Sequence, residues 1–133
     1  MYYLFLDDNR VPHKVNWVKL PNVNWVIVRN FEQFVNYIRK HGVPKAISFD
    51  HDLADEHYQE YEWAHDERNP KRGQFRYGKM QIKTGYDCAK WLIEYCMANN
   101  QSLPEYYLHT MNPIGAENIR SLFESAKKVI DID

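Results

Sequence analysis

Two acidic clusters stand where apolar runs stop. Tyr2-Tyr3-Leu4-Phe5-Leu6 passes straight into Asp7-Asp8-Asn9-Arg10, and Lys45-Ala46-Ile47-Ser48-Phe49 into Asp50-His51-Asp52-Leu53. Carboxylates brought close repel one another, so such a group implies a bound cation, a shared proton or a basic substrate. Oxygen donors of this kind suit Mg²⁺, Mn²⁺ or Ca²⁺ better than zinc, with His51 shifting the balance toward a transition metal. A third segment, Glu105-Tyr106-Tyr107-Leu108-His109, leads into Thr110-Met111-Asn112-Pro113. His51 and His109 carry the side chain best suited to proton transfer near neutral pH. His13, His41, His57 and His65 lack such surroundings and read as surface residues.

These residues act together only if the apolar runs end side by side. Short runs with β-branched or aromatic members read as buried strands of a parallel sheet. Asn24-Trp25-Val26-Ile27-Val28 is another such run, after an irregular connection that carries Pro12 and Pro21. Asn30 is set to cap a helix with Phe31, Phe34, Val35 and Ile38 at helical spacing and Gly42 as its stop. Thr84 caps a second helix, buried through Cys88, Trp91, Leu92, Tyr95 and Cys96. Asn112 and Pro113 open the last, whose inner face is Ile119, Leu122, Phe123 and Ala126. The order β, β, α, β, insertion, α, β, α predicts an α/β fold with a parallel sheet and right-handed crossovers.

In such a sheet, ligands bind beyond the carboxyl ends of the strands. That rule places Asp7, Asp8, Asp50 and Asp52 in one crevice and His109 on the same edge. The free N–H groups of the last helix favour an anion there, flanked by His51 and His109. Thr84 reads as an N-cap. Lys83 beside it is a candidate phosphate contact.

The 133 residues suffice for one domain. A charged fraction of 26% and a net charge of −1 exclude broad electrostatic steering toward nucleic acid and give no reason to expect disorder. No apolar stretch approaches the ~20 residues of a membrane span, and the opening Met1-Tyr2-Tyr3-Leu4 does not resemble a secretion signal. Cys88 and Cys96 sit two helical turns apart, too far for a disulfide. They are expected to be small core residues in a reducing, cytoplasmic setting. The compositional break is an insertion at about residues 54–83. It interleaves Lys71, Arg72, Arg76, Lys79 and Lys83 with Phe75 and Tyr77, a pattern suited either to a nucleotide or RNA end or to a solvated charged excursion.

Taken together, Asp7-Asp8-x-Arg10-x-Pro12, Asp50-His51-Asp52-Leu53, Thr84-Gly85-Tyr86-Asp87 with Trp91-Leu92, and His109-Thr110-Met111-Asn112-Pro113-x-Gly115-Ala116 with Asn118 resemble the cyclic-phosphate-processing receiver-like domains. The resemblance covers nearly the whole chain. It implies a truncated receiver-like (flavodoxin-like) fold of three layers with about four parallel strands. It also implies a metal-assisted phosphoesterase acting on a cyclic or terminal phosphate of a nucleotide or RNA end. On that reading Asp7, Asp8 and Asp50 hold Mg²⁺ or Mn²⁺, while His51, His109, Asp50 and Asp52 are catalytic. Arg10, Lys83, Thr110 and Asn112 bind substrate. Thr110 stands where the family often has Ser, which keeps the hydroxyl. A phosphoacceptor receiver would also carry a Lys on a fifth strand, and no counterpart follows the last helix. Phosphorelay signalling is therefore the weaker alternative, beside a non-catalytic module that binds a nucleotide or a partner.

Overall fold

The computed structural model describes residues 1–53 and 83–130. Four strands, β1 (Tyr3–Leu6), β2 (Trp25–Val28), β3 (Ala46–Phe49) and β4 (Glu105–Leu108), form one parallel sheet in the order β2-β1-β3-β4. The register aligns Leu6 with Phe49 and Phe49 with Leu108. Backbone hydrogen bonds continue the ladder one residue further. Asp7 N donates to Val28 O (3.1 Å), Asp50 N to Leu6 O (2.9 Å) and His109 N to Phe49 O (3.1 Å). Asp7, Asp50 and His109 thus stand abreast on the carboxyl edge, as the crevice rule requires.

Side chains alternate across a strand. Leu4, Leu6, Val28, Ile47 and Phe49 face one side and form a single core with the three helices of the described residues. Helix α1 (Phe31–His41) contributes Phe34, Val35 and Ile38, and its N-cap Asn30 accepts from Gln33 N. Helix α2 (Gly85–Ala98) contributes Cys88, Leu92 and Cys96 behind a capping box of Thr84 and Asp87. Helix α3 (Pro113–Ile130) contributes Ile119 and Phe123. The Phe49 ring centroid lies 6.1 Å from that of Phe34 and 5.6 Å from that of Phe123, so it joins α1 to α3 on the helical face of the sheet. Its truncation to Ala would cost about 3–5 kcal/mol. Cys88 and Cys96 are both buried, and burial pushes the Cys96 thiol up to about 11.

The opposite side of the sheet carries Phe5, Trp25, Ser48 and Tyr107, with the Trp25 ring edge-on to Phe5 (6.2 Å) and Tyr107 (6.5 Å). No helix crosses from β1 to β2. One 3-10 turn, Pro12–Lys14, interrupts an irregular connection tied down by its own hydrogen bonds. The indole N–H of Trp25 donates to Pro21 O (3.1 Å) and that of Trp17 to His109 O (2.7 Å). Helices, sheet and this connection make the three layers, the third thinner than the first. The expected element order holds, with the strands one residue shorter at an end. Of the insertion, only Lys83 falls within the described residues. No helix among those residues is long and apolar enough to cross a membrane.

Candidate active site

Alternation continues past the strand ends and sorts the site in two. Phe5 and Asp7, Ser48 and Asp50, and Tyr107 and His109 share the face turned toward the β1–β2 connection. His51 falls on the helical side.

On the first side, His109 is fully buried and its ring stacks on Phe5 at 4.4 Å and 9°. Its Nε2 is 2.9 Å from Asp7 Oδ2 and its Nδ1 2.6 Å from Ser48 Oγ. A carboxylate only accepts, so Nε2 is the donor in the first bond. Asp7 also accepts from Asn9 N (3.0 Å) and Arg10 N (2.9 Å) on Oδ1, and from Arg10 Nη1 (3.4 Å) on Oδ2. Burial would push the Asp7 carboxyl up. The hydrogen bonds from His109, Asn9 and Arg10 outweigh it and hold Asp7 well below the usual carboxylate range. Arg29 fixes the turn by donating to Asp7 O and Arg10 O.

Asp8 and Asp50 complete the acidic group. One carboxylate oxygen from each of Asp7, Asp8 and Asp50 lies within 4.8 Å of the others. Asp50 is 5% exposed, and burial followed by the charges of Asp7 and Asp8 pushes it up to about 6. Asp50 Oδ1 accepts from His51 N (2.9 Å). A cavity of about 320 Å³ opens here, lined by Asp8, Arg10, Asp50, Asp52, Thr110 and Asn112 among others.

On the helical side, His51 Nδ1 is 2.8 Å from Asp52 Oδ1. Two glycines hold this segment. Gly85 N donates to His51 O (2.8 Å), and a Cβ on Gly85 would collide with Asp50 O. A Cβ on Gly115 would fall on the His51 ring. The N-termini of α2 and α3 therefore close on residues 50–51 more tightly than any side chain allows.

The chain matches the cyclic-phosphate processing receiver domain over residues 2–125. It belongs to that family. No curated protein and no solved structure matches it. The receiver domain brings together Asp7, Asp8, Asp50, Asp52, Arg10, Thr110 and Asn112 at one edge. Asn112 Nδ2 stands 3.4 Å from both Asp52 oxygens while its Oδ1 caps α3 through Gly115 N (2.9 Å). Thr110 Oγ1 accepts from Asn112 N (3.1 Å). Lys83 is exposed, with Nζ 5.6 Å from the centre of the Phe31 ring, and does not line the acidic cavity. Neither His109 nor His51 lines it. The histidines expected to flank one phosphate are separated, His109 locked behind Asp7 and His51 turned to the helices, because their positions differ in parity along the sheet.

Ser48 and Arg29 were not anticipated as site residues. Ser48 lies two residues before Asp50 on a buried strand, and the same alternation identifies it. For Arg29 the sequence offers no comparable signal. The acidic group fits a hard divalent cation: three carboxylates converge, and burial together with the Asp7 and Asp8 charges raises the Asp50 carboxyl.

Proposed function

We propose that this receiver domain is a phosphoesterase that opens the cyclic phosphate, or removes the terminal phosphate, of a nucleotide or RNA end. The observation that carries the reading is the approach of Asp7, Asp8 and Asp50 within 4.8 Å beside the Asp52–His51 pair. Asp7, Asp8 and Asp50 would hold Mg²⁺ or Mn²⁺. A bound divalent ion offsets the charge that develops on a phosphoryl group. Asp7 already receives four hydrogen bonds, and the longest, from Arg10 Nη1 at 3.4 Å, is the one most easily given up. Arg10 is then free to reach a phosphate oxygen, with Thr110 and Asn112 on the far wall of the cavity.

Opening a cyclic phosphate by water forms one P–O bond and breaks the bond to a ribose oxygen. The departing oxygen needs a proton. His51, oriented through Nδ1 by Asp52, supplies it from Nε2, and the proton lost by water passes to solvent and restores His51. His109 acts one layer down, by fixing the Asp7 carboxylate.

The test is a screen of 2′,3′-cyclic nucleotides and cyclic-phosphate RNA ends with Mg²⁺ or Mn²⁺, read by phosphorus NMR. Turnover that disappears in Asp50→Asn supports the reading. Tight binding without turnover across the panel would replace it with a non-catalytic binding module.

A further inference from the structure

A second cavity, about 530 Å³, is lined on the helical side of the sheet by His51, the sequence neighbour of two residues that line the acidic one, Asp50 and Asp52. Its walls include His51, Thr84, Tyr86, Asn118, Ser121 and Ser125, which are contributed by β3's end and by α2 and α3 with the Thr84 cap. The His51 Nδ1–Asp52 Oδ1 hydrogen bond (2.8 Å) links a wall residue of each cavity. Asp52 lines the acidic cavity and His51 lines its neighbour. The walls differ in kind. The acidic cavity is lined by carboxylates and a guanidinium. The larger one has hydroxyls, an amide, a phenol, the His51 imidazole and Leu122, with no Asp, Glu, Lys or Arg among the described residues that line it. Such a surface suits a neutral, hydroxyl-rich ligand with a flat ring and does not suit a phosphate.

We infer that this groove binds the ribose and base of a nucleotide whose phosphate occupies the acidic cavity. The inference rests on the proposed phosphoesterase reading and adds to it where the nucleoside lies. Hydroxyls of Ser121 and Ser125 and the Asn118 amide have the donors and acceptors a sugar requires. Tyr86 offers a ring face for a base. His51 stands at the junction, where the ribose oxygen meets phosphorus. The groove volume falls in the range of pockets that enclose small molecules, roughly 300–1,000 Å³.

Two measurements test it. In the first, uridine is titrated into the wild-type domain and followed by amide NMR. Shifts of Tyr86, Asn118, Ser121 and Ser125 are expected, and their absence overturns the inference. This arm requires no turnover, so it stands even if the phosphoesterase reading fails. In the second, Ser121→Trp fills the groove from an exposed helix position, with Ser125→Trp as a second variant should the first not fold. The ratio of kcat/KM for uridine 2′,3′-cyclic phosphate to that for base-free glycerol 1,2-cyclic phosphate should fall at least tenfold. An unchanged ratio in a folded variant would mean that the nucleoside binds elsewhere.

Discussion

Asp7 Oδ2 lies 2.9 Å from His109 Nε2 with neither side chain exposed to solvent. The contact links the ends of β1 and β4, which do not pair directly, across the end of β3. Ser48 on β3 holds the other ring nitrogen, so three strands share one hydrogen-bonded array. Removing one partner leaves a buried carboxylate short of a donor. His109→Ala is therefore expected to cost about 3–5 kcal/mol, read as a lower denaturation midpoint. His109→Gln, which keeps a donor, should recover part of the loss. Equal midpoints for His109→Ala and wild type would show that the array does not stabilise Asp7.

Asp7 also sets a limit in acid. Its carboxyl is held low in the folded state, so its contribution is present above the unfolded value of 3.8. It is lost as pH falls below that value. Urea midpoints measured downward from pH 4 should decline more steeply in wild type than in Asp7→Asn.

Asp50 has the opposite sign. Its carboxyl is raised to about 6, so the folded protein loses stability as pH climbs from about 4 through 6. The charged form costs on the order of 2–3 kcal/mol at neutral pH. Asp50→Asn should thus raise the melting temperature of the metal-free domain at pH 7.5 while abolishing stabilisation by Mg²⁺. In wild type, protons compete with the ion, and Mg²⁺ affinity should fall about tenfold per pH unit below 6. Affinity constant between pH 4.5 and 7 would place the ion away from Asp50.

His51→Ala is expected to lower turnover of a cyclic nucleotide by ~10²–10⁴-fold with little change in Mg²⁺ affinity. Asp52→Asn should produce a smaller loss, because it disturbs the orientation of the ring and leaves the ring in place. Steady-state kinetics beside isothermal titration separates the two effects. Full activity in His51→Ala would assign proton transfer to another group.

Gly115→Ala inverts a common rule. Replacing a helical Gly by Ala ordinarily stabilises by about 1 kcal/mol. Here the added methyl falls on the His51 ring, so that gain should be lost and turnover should drop with it. A higher melting temperature together with intact turnover would show that the ring can move aside at no cost.

The acidic edge was legible because it depends on features a sequence displays: apolar runs, their ends, and the crevice rule for parallel sheets. Asn30, Thr84 and Asn112 likewise announced their helices through side chains that cap. What escaped was depth. Composition cannot distinguish a histidine on a cavity wall from one buried against Phe5, and both His51 and His109 follow apolar strands. Continuing the two-residue alternation beyond Phe49 and Leu108 would have separated them and drawn in Ser48. The close approach of Gly85 and Gly115 to residues 50–51 is a tertiary contact with no local trace.

Trp17 gives the domain an optical consequence. Its indole donates to His109 O, and the Arg10 guanidinium lies 5.2 Å from the ring centroid while reaching toward Asp7. At 39% exposure the ring is sensitive to both solvent and neighbouring charge. A cation that neutralised Asp7 and Asp8 should release Arg10 and shift the indole emission. If the acidic group binds a cation, a titration should be visible in intrinsic fluorescence without attaching a dye, and Trp17→Phe should remove that response while the emission of Trp25, Trp63 and Trp91 remains.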